Sequence, residues 1–284
     1  MIENKILNRI ELIVFDLDGT LLRSDNTIGE RTINYVKELR ELGVKFSFAS
    51  GRLHSAIINH AETLNIKAPL ISLDGAIIKS YPENEVIYES YVPQNLVKKA
   101  VSLADKNLLK IALCHNEAIY FTEQNSTIPQ MLEKFGAKYK MVHSYQNYQN
   151  NVLEIVLAGD DKELIRKVYK ELSFPYSFGL TTSFYKSHRK QEIYYLEIRK
   201  KGNNKGLGFK RLAKHFGIKT KNAAVMGDWY NDISLFNTNA LKVAVANAVP
   251  ELKRLADFIT KHNNDEDAAA DFLEIVLNSK TLKQ

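Results

Sequence analysis

The pattern of apolar and polar positions divides the chain into three blocks. In the first, the apolar run Leu12-Ile13-Val14-Phe15 reads as a buried strand. The next stretch, "ERTINYVKELRELG", has helical periodicity and closes on Gly43, a residue type that ends helices. "VKFSFAS" predicts a second strand, the segment from about Leu53 to Asn65 a helix, and "PLISLDG" a third strand. This β-α-β-α-β rhythm predicts a parallel sheet with helices on both faces. The last block repeats it. A helix is expected over about Asn204 to Phe216, a strand at "AAVMGD", short strands at "LKVAVA" and "ADFIT" with a helix between them, and a helical tail at "EDAAADFLEIVLNS".

The middle block has its own rhythm: a helix at "NLVKKAVSLADKN", strands at "LKIALCH" and "AIYFTE", a short helix near 128–135, a strand at "VLEIVLAG" and a helix at "DKELIRKVYKEL". Two strand–helix units of this kind predict a smaller α/β domain inserted into the larger one. The expected division is a core of residues 1–81 and 190–284 around an insert of 82–189. Repeats and low-complexity tracts are absent, and "HSYQNYQNN" reads as a polar loop.

Composition narrows the class. With 284 residues, 45% hydrophobic and 25% charged, the chain has the make-up of an ordinary soluble protein able to bury a large core. No apolar run approaches the roughly 20 residues needed to cross a bilayer. The N-terminal "MIENKILNRIEL" is charged throughout and lacks an apolar signal core. The single cysteine, Cys114, permits no internal disulfide, so a cytoplasmic protein is expected, as monomer or homodimer. Cys114 sits in an apolar strand and is expected in the core.

The formal charge of +6 is concentrated in residues 190–284, which hold 16 basic and 11 acidic side chains. From Arg199 to Lys221 there are nine Lys or Arg and no acid, a pattern that suits a phosphate-bearing partner. Periodicity favours a solvated helix face instead: Phe209, Leu212, Ala213 and Phe216 share one stripe, with Lys210, Arg211 and Lys214 outside it. Without a recognisable motif or an aromatic stacking platform, the charge argues against a nucleic-acid partner.

Candidate chemistry gathers where predicted strands end, which is where open α/β sheets bind ligands. The first strand delivers Asp16 and Asp18, like charges two residues apart that would repel each other across one side of an extended strand. A cation would relieve them. The second strand ends in "FASGR" with Ser50 and the Gly51 amide, the late strand in "VMGDWYND" with Asp228, Asn231 and Asp232, and "KKGNNKGLG" places Lys205 at a helix start. Asp16, Asp18 and Asp228 offer hard oxygen ligands suited to magnesium. Lys205 opposes the helix dipole and fits an anion site better than a bare helix start. Magnesium, anion donors and a carboxylate nucleophile describe phosphoryl transfer through an aspartyl-phosphate. Each part alone has a plainer reading: Asp-Gly as a turn, Ser50 as a helix cap, Asp232 as a helix-start acid. Their joint order along the chain is what points to chemistry.

"DLDGTLL", "SGR", "NNKG" and "GDWYND" resemble the four successive motifs of the haloacid dehalogenase superfamily, in particular its Cof-type phosphatases. The resemblance spans nearly the whole chain. It implies a Rossmann-like core with an inserted α/β cap. It further implies that Asp16 attacks phosphorus and that Asp18 protonates the leaving alcohol and then activates water. Magnesium would be held by the Asp16 carboxylate, the Asp18 main-chain carbonyl and Asp228, with Asp232 orienting that shell, while Ser50, Gly51, Lys205 and Asn231 hold the phosphoryl oxygens. The expected substrate is a small phosphorylated metabolite such as a sugar phosphate or pyridoxal phosphate, chosen by the cap. Lys186, His188 and Arg189 are candidate cap contacts, against the plainer reading of an exposed basic linker. Two departures stand out: Asp74-Gly75-Ala76 replaces the family's frequent Asn-Gly-Ala, and "NNDEDAAADFLE" lacks a glycine common after the acidic pair. A phosphomutase, and a non-catalytic phospholigand or nucleic-acid binder, are the alternative functions.

Overall fold

The computed structural model describes residues 2–122, 137–173, 179–186 and 193–281. In chain order the first elements are α1 (Asn4–Asn8), β1 (Leu12–Phe15), α2 (Glu30–Glu41), β2 (Lys45–Phe48), α3 (Ile58–Thr63), β3 (Leu70–Ser72), β4 (Ile77–Lys79) and β5 (Val86–Glu89). Then come α4 (Gln94–Lys106), β6 (Lys110–Cys114), β7 (Ile119–Thr122), β8 (Tyr139–Val142), β9 (Glu154–Gly159), α5 (Lys162–Ser173), β10 (Leu180–Lys186) and β11 (Tyr194–Lys200). The chain closes with α6 (Lys205–His215), β12 (Ala223–Gly227), α7 (Ile233–Phe236), β13 (Leu241–Ala244), α8 (Pro250–Leu255), β14 (Phe258–Ile259) and α9 (Ala268–Thr281).

Contacts group the chain into two units: Met1–Gly51, Ile58–Ile87 and Asn204–Gln284 in one, Arg52–Ile57 and Tyr88–Asn203 in the other. The first holds a parallel sheet in the order β14-β13-β12-β1-β2. Every residue of β1 and β12 is buried, as expected for strands covered on both faces. The chain leaves β1 toward β2 on one side and later returns as β12 on the other. The carboxyl end of β1 is therefore the switch point of the sheet, where neighbouring loops part and leave a crevice. An isolated bridge from Ala49 to Ile71 adds β3 beside β2.

The second unit is a six-stranded sheet, β10-β11-β9-β6-β7-β8, antiparallel except for the β7–β8 pair. Its apolar core draws Val97 and Ala104 from α4, Ile165 and Val168 from α5, and alternate residues Ile111, Leu113, Ile155, Leu157, Leu196 and Ile198 from the strands. β11 pairs with β9 from Tyr194–Gly159 to Arg199–Glu154. The contact division consequently falls after Asn203, not at the expected 189–190.

Other differences are local. The helix expected over about Leu53 to Asn65 is two pieces, a 3-10 turn at His54–Ala56 and α3, because Ile57 with φ −113° breaks the helical path. Strands β4, β5, β8, β10 and β11 were not anticipated by periodicity. The helix expected near 128–135, and His188 and Arg189, lie outside the described residues. Lys186 ends β10 and is exposed. Cys114 is buried, as expected of a core thiol. No helix among the described residues is long and apolar enough to cross a membrane.

Candidate active site

β1 stops at Phe15, and the Asp16 N–H continues the ladder by donating to the Met226 carbonyl at 3.0 Å. The chain then turns tightly, with the N–H groups of Thr20, Leu21 and Leu22 all directed at the Leu17 carbonyl. Gly19 sits in the turn at φ +77°, and a Cβ there would lie 2.5 Å from Asp228 Oδ2. Only glycine both adopts that backbone and lets the two loops approach. β12 delivers Asp228 directly, and the 3-10 turn Tyr230–Asp232 swings Asp232 back beneath it. Asp232 Oδ2 accepts from the Asp228 N–H at 3.0 Å and the Trp229 N–H at 3.1 Å.

Lys205 arrives from the start of α6, where Asn204 caps the helix by accepting from the Leu207 N–H at 2.8 Å. At Gly206 a Cβ would meet the Ser234 carbonyl oxygen at 2.0 Å, so the missing side chain lets α6 press against α7. That approach carries Lys205 inward until it is 1% exposed. Its Nζ donates to Asp16 Oδ1 at 2.5 Å and to Asp232 Oδ1 at 2.6 Å.

The site has more negative than positive charge. Asp16, Asp228 and Asp232 each bring a carboxylate oxygen to within 4.8 Å of the others. Burial, then Asp232, pushes the Asp16 carboxyl well above the usual range against the pull of Lys205, and Asp228 pushes the same way. Burial and Asp232 likewise raise Asp228 to about 6, partly offset by a hydrogen bond from Thr20 Oγ1 at 3.0 Å. Burial works against the Lys205 charge, yet Asp16, Asp232 and Asp74 outweigh it and hold the ammonium above its ordinary pKa. One lysine does not balance three crowded acids, and an all-oxygen donor set suits a hard divalent cation. The residues present fit such an ion.

The crowding seen here is of Asp16 with Asp228 and Asp232, while Asp18 lies in the turn that follows β1 and is exposed. Ser50 and Asn231 gather around a residue that the sequence marked only as a departure, Asp74. Ser50 is buried at the end of β2; its N–H donates to the Ile71 carbonyl at 2.9 Å, and its carbonyl accepts from the Asp74 N–H at 3.0 Å. Asp74 Oδ1 accepts from Asn231 Nδ2 at 3.3 Å. Gly51 lies beside the same carboxylate.

Two further roles were not legible. Thr20, within the quoted first motif, is buried against Asp228. Asn247 holds the first loop: its Nδ2 donates to the Gly19 carbonyl at 2.7 Å, while its Oδ1 accepts from the Asn264 N–H at 3.0 Å. The Asp265 carboxylate accepts from the Ser24 N–H at 2.6 Å and hydroxyl at 2.9 Å. Where a glycine was missed in "NNDED", Asp267 takes the left-handed conformation at φ +68°. Its carboxylate then accepts from the N–H groups of Arg31 and Thr32 in the first turn of α2. The basic stretch also changes meaning, since Arg199 is buried against Glu154 and Glu197, and Lys205 lies in the acid cluster. Two of its cations thus serve the interior.

Comparison with known proteins places the chain in a family. The family model for haloacid dehalogenase-like hydrolases matches residues 13–273. A haloacid dehalogenase-like hydrolase of Bacteroides thetaiotaomicron superposes with a TM-score of 0.82 at 26% identity, over 93% of this chain and 98% of that one. A sugar phosphatase of subclass IIB superposes with a TM-score of 0.75 at 26% identity, over 93% and 98% of the two chains. The HMP-PP phosphatase of Escherichia coli is 25% identical over 85% of this chain and 86% of its own length.

Proposed function

Because the chain belongs to the haloacid dehalogenase-like hydrolase family and is a phosphatase, we propose that it hydrolyses a small phosphorylated metabolite through an aspartyl-phosphate on Asp16, with magnesium bound. The class of substrate, a sugar phosphate or a phosphorylated cofactor, follows the sugar and HMP-PP phosphatases it is similar to. The observation that carries the reading is the Asp16–Lys205–Asp232 cluster beside Asp228 at the switch point of the sheet.

Asp16, with Asp228 and the Asp18 main-chain carbonyl, would hold the magnesium ion, and Asp232 would orient that shell. When bound, the ion offsets the carboxylate charge and withdraws electron density from the phosphoryl group. An Asp16 oxygen attacks phosphorus, and the bond from phosphorus to the leaving oxygen breaks. Asp18, exposed beyond the turn, gives its proton to that oxygen and so releases a neutral alcohol. It then takes a proton from the water that attacks the aspartyl-phosphate, which returns Asp16 as a carboxylate and frees inorganic phosphate. Lys205 stays protonated throughout and steadies charge on Asp16 and on the phosphoryl oxygens. Ser50, the Gly51 amide and Asn231 donate to the remaining oxygens.

The test is phosphate release from a panel of phosphorylated metabolites, with magnesium and with chelator, for the wild type and Asp16→Asn. Magnesium-dependent release by the wild type, lowered about 10³-fold or more in a folded Asp16→Asn protein, is expected. Normal turnover by Asp16→Asn would overturn the nucleophile assignment.

A further inference from the structure

The turn after β3 is unusual. Leu73, Asp74 and Gly75 take φ of +47°, +48° and +90° in succession. Left-handed backbone is tolerated by aspartate and glycine but costly for leucine, and such a run persists where its surroundings over-determine it. Here the Asp74 N–H is tied to the Ser50 carbonyl at 3.0 Å, and Gly75 packs so closely on the start of α6 that a Cβ would lie 2.6 Å from the Asn204 carbonyl oxygen. The turn is thereby fastened both to the Ser50–Gly51 loop and to the helix that carries Lys205. It holds the Asp74 side chain 6% exposed, with Oδ1 3.3 Å from Asn231 Nδ2.

We propose that Asp74 is a positioning residue that sets the Asn231 carboxamide with its N–H end toward the phosphoryl site. An ionised carboxylate only accepts hydrogen bonds, whereas a side-chain amide can present either end. Although Asn231 is exposed, facing Asp74 favours the orientation with its NH₂ toward that carboxylate. One N–H satisfies the carboxylate and the second is directed to an anion held by Ser50, Gly51 and Lys205. Asp74 acts chiefly through Asn231, while its charge also helps to hold the Lys205 ammonium. The inference rests on the phosphatase reading of the site.

The test is a double-mutant cycle on the active, magnesium-loaded protein: wild type, Asp74→Gly, Asp74→Asn, Asn231→Ala and the Asp74→Gly/Asn231→Ala pair. Glycine accepts φ +48°, so Asp74→Gly removes the carboxylate without backbone strain. Asp74→Gly is expected to lower kcat/KM about tenfold and to weaken inorganic phosphate binding, measured by calorimetry, by a similar factor. Asp74→Asn, which can still accept through its carbonyl oxygen, recovers part of both. The paired variant is within about twofold of Asn231→Ala alone, since the part of Asp74 that acts through Asn231 is silent once Asn231 is gone and only its effect on the Lys205 charge remains. Asp74→Gly within about twofold of wild type in both measurements, or losses that multiply in the pair, would overturn the proposal. A Gly variant that fails to fold leaves the decision to the same cycle with Asp74→Asn. If the wild type hydrolyses nothing, the phosphatase reading fails, while the phosphate-binding arm still decides the role of Asp74.

Discussion

Each unit of the molecule buries a cluster of charged side chains, and the two differ in how far acids outnumber bases. In the second unit, Arg199 Nε donates to Glu154 Oε2 at 3.0 Å, and its Nη2 donates to Glu197 Oε2 at 2.5 Å. Tyr185 completes the set by donating its hydroxyl to Glu197 Oε1 at 2.6 Å. Arg199 and Glu154 are direct cross-strand partners in the β9–β11 ladder, so the sheet itself brings them together. Two acids here share one guanidinium and a hydroxyl. The first unit instead sets Asp16, Asp228 and Asp232 around a single lysine. Two of those acids are pushed above their ordinary pKa. The acids outnumber the base by one in the second unit and by two in the first, where the crowding also raises pKa values. The larger excess is the one arranged for a cation that the chain does not supply.

The contrast predicts opposite signs for similar substitutions. Glu154→Ala should lower the stability of the protein by about 3 kcal/mol, because it leaves buried Arg199 short of a partner. Chemical denaturation followed by circular dichroism measures this. A change under about 0.5 kcal/mol would mean that the second cluster is also idle.

Asp228→Asn should act the other way, raising metal-free stability at pH 7.5 by about 2 kcal/mol, since it removes an ionised group whose folded pKa is raised to about 6. The sign follows from the direction of the shift. A folded carboxyl with a raised pKa favours the folded state below the unfolded pKa, near 4, and that contribution is lost as pH rises through about 6. The advantage of the variant should therefore fade between about pH 6 and pH 4. A variant less stable than wild type in chelator at pH 7.5 would break the comparison.

Much of this was legible in the chain. Leu12–Phe15 announced β1, and the motifs after β1 and β12 and at the start of α6 placed Asp16, Asp228, Asp232 and Lys205, which meet in space. Local pattern reports what a segment is, and less reliably what it pairs with. "YYLEIRK" alternates as a half-exposed strand should, yet only the β9–β11 register shows that it belongs to the second sheet. The helix expected over about Leu53 to Asn65 breaks at a single residue, Ile57, whose φ no periodicity could reveal. Thr20 and Asn247 were hidden for a different reason. Their bonds reach across 208 and 228 positions of chain, a distance over which sequence spacing carries no information. Asp74 was visible as an oddity, but its meaning depended on the left-handed turn that buries it beside Asn231.

The central claim is that a divalent cation completes the cluster of Asp16, Asp228 and Asp232. Magnesium titration by calorimetry tests it most directly, with the fluorescence of the sole tryptophan, Trp229, whose main-chain N–H donates to Asp232, as a second signal. One binding event is predicted at pH 7.5, weakening as pH falls through about 6, where a proton competes for Asp228, and lost in Asp228→Asn. Absence of binding, or binding unchanged by both the lower pH and the substitution, would contradict the account.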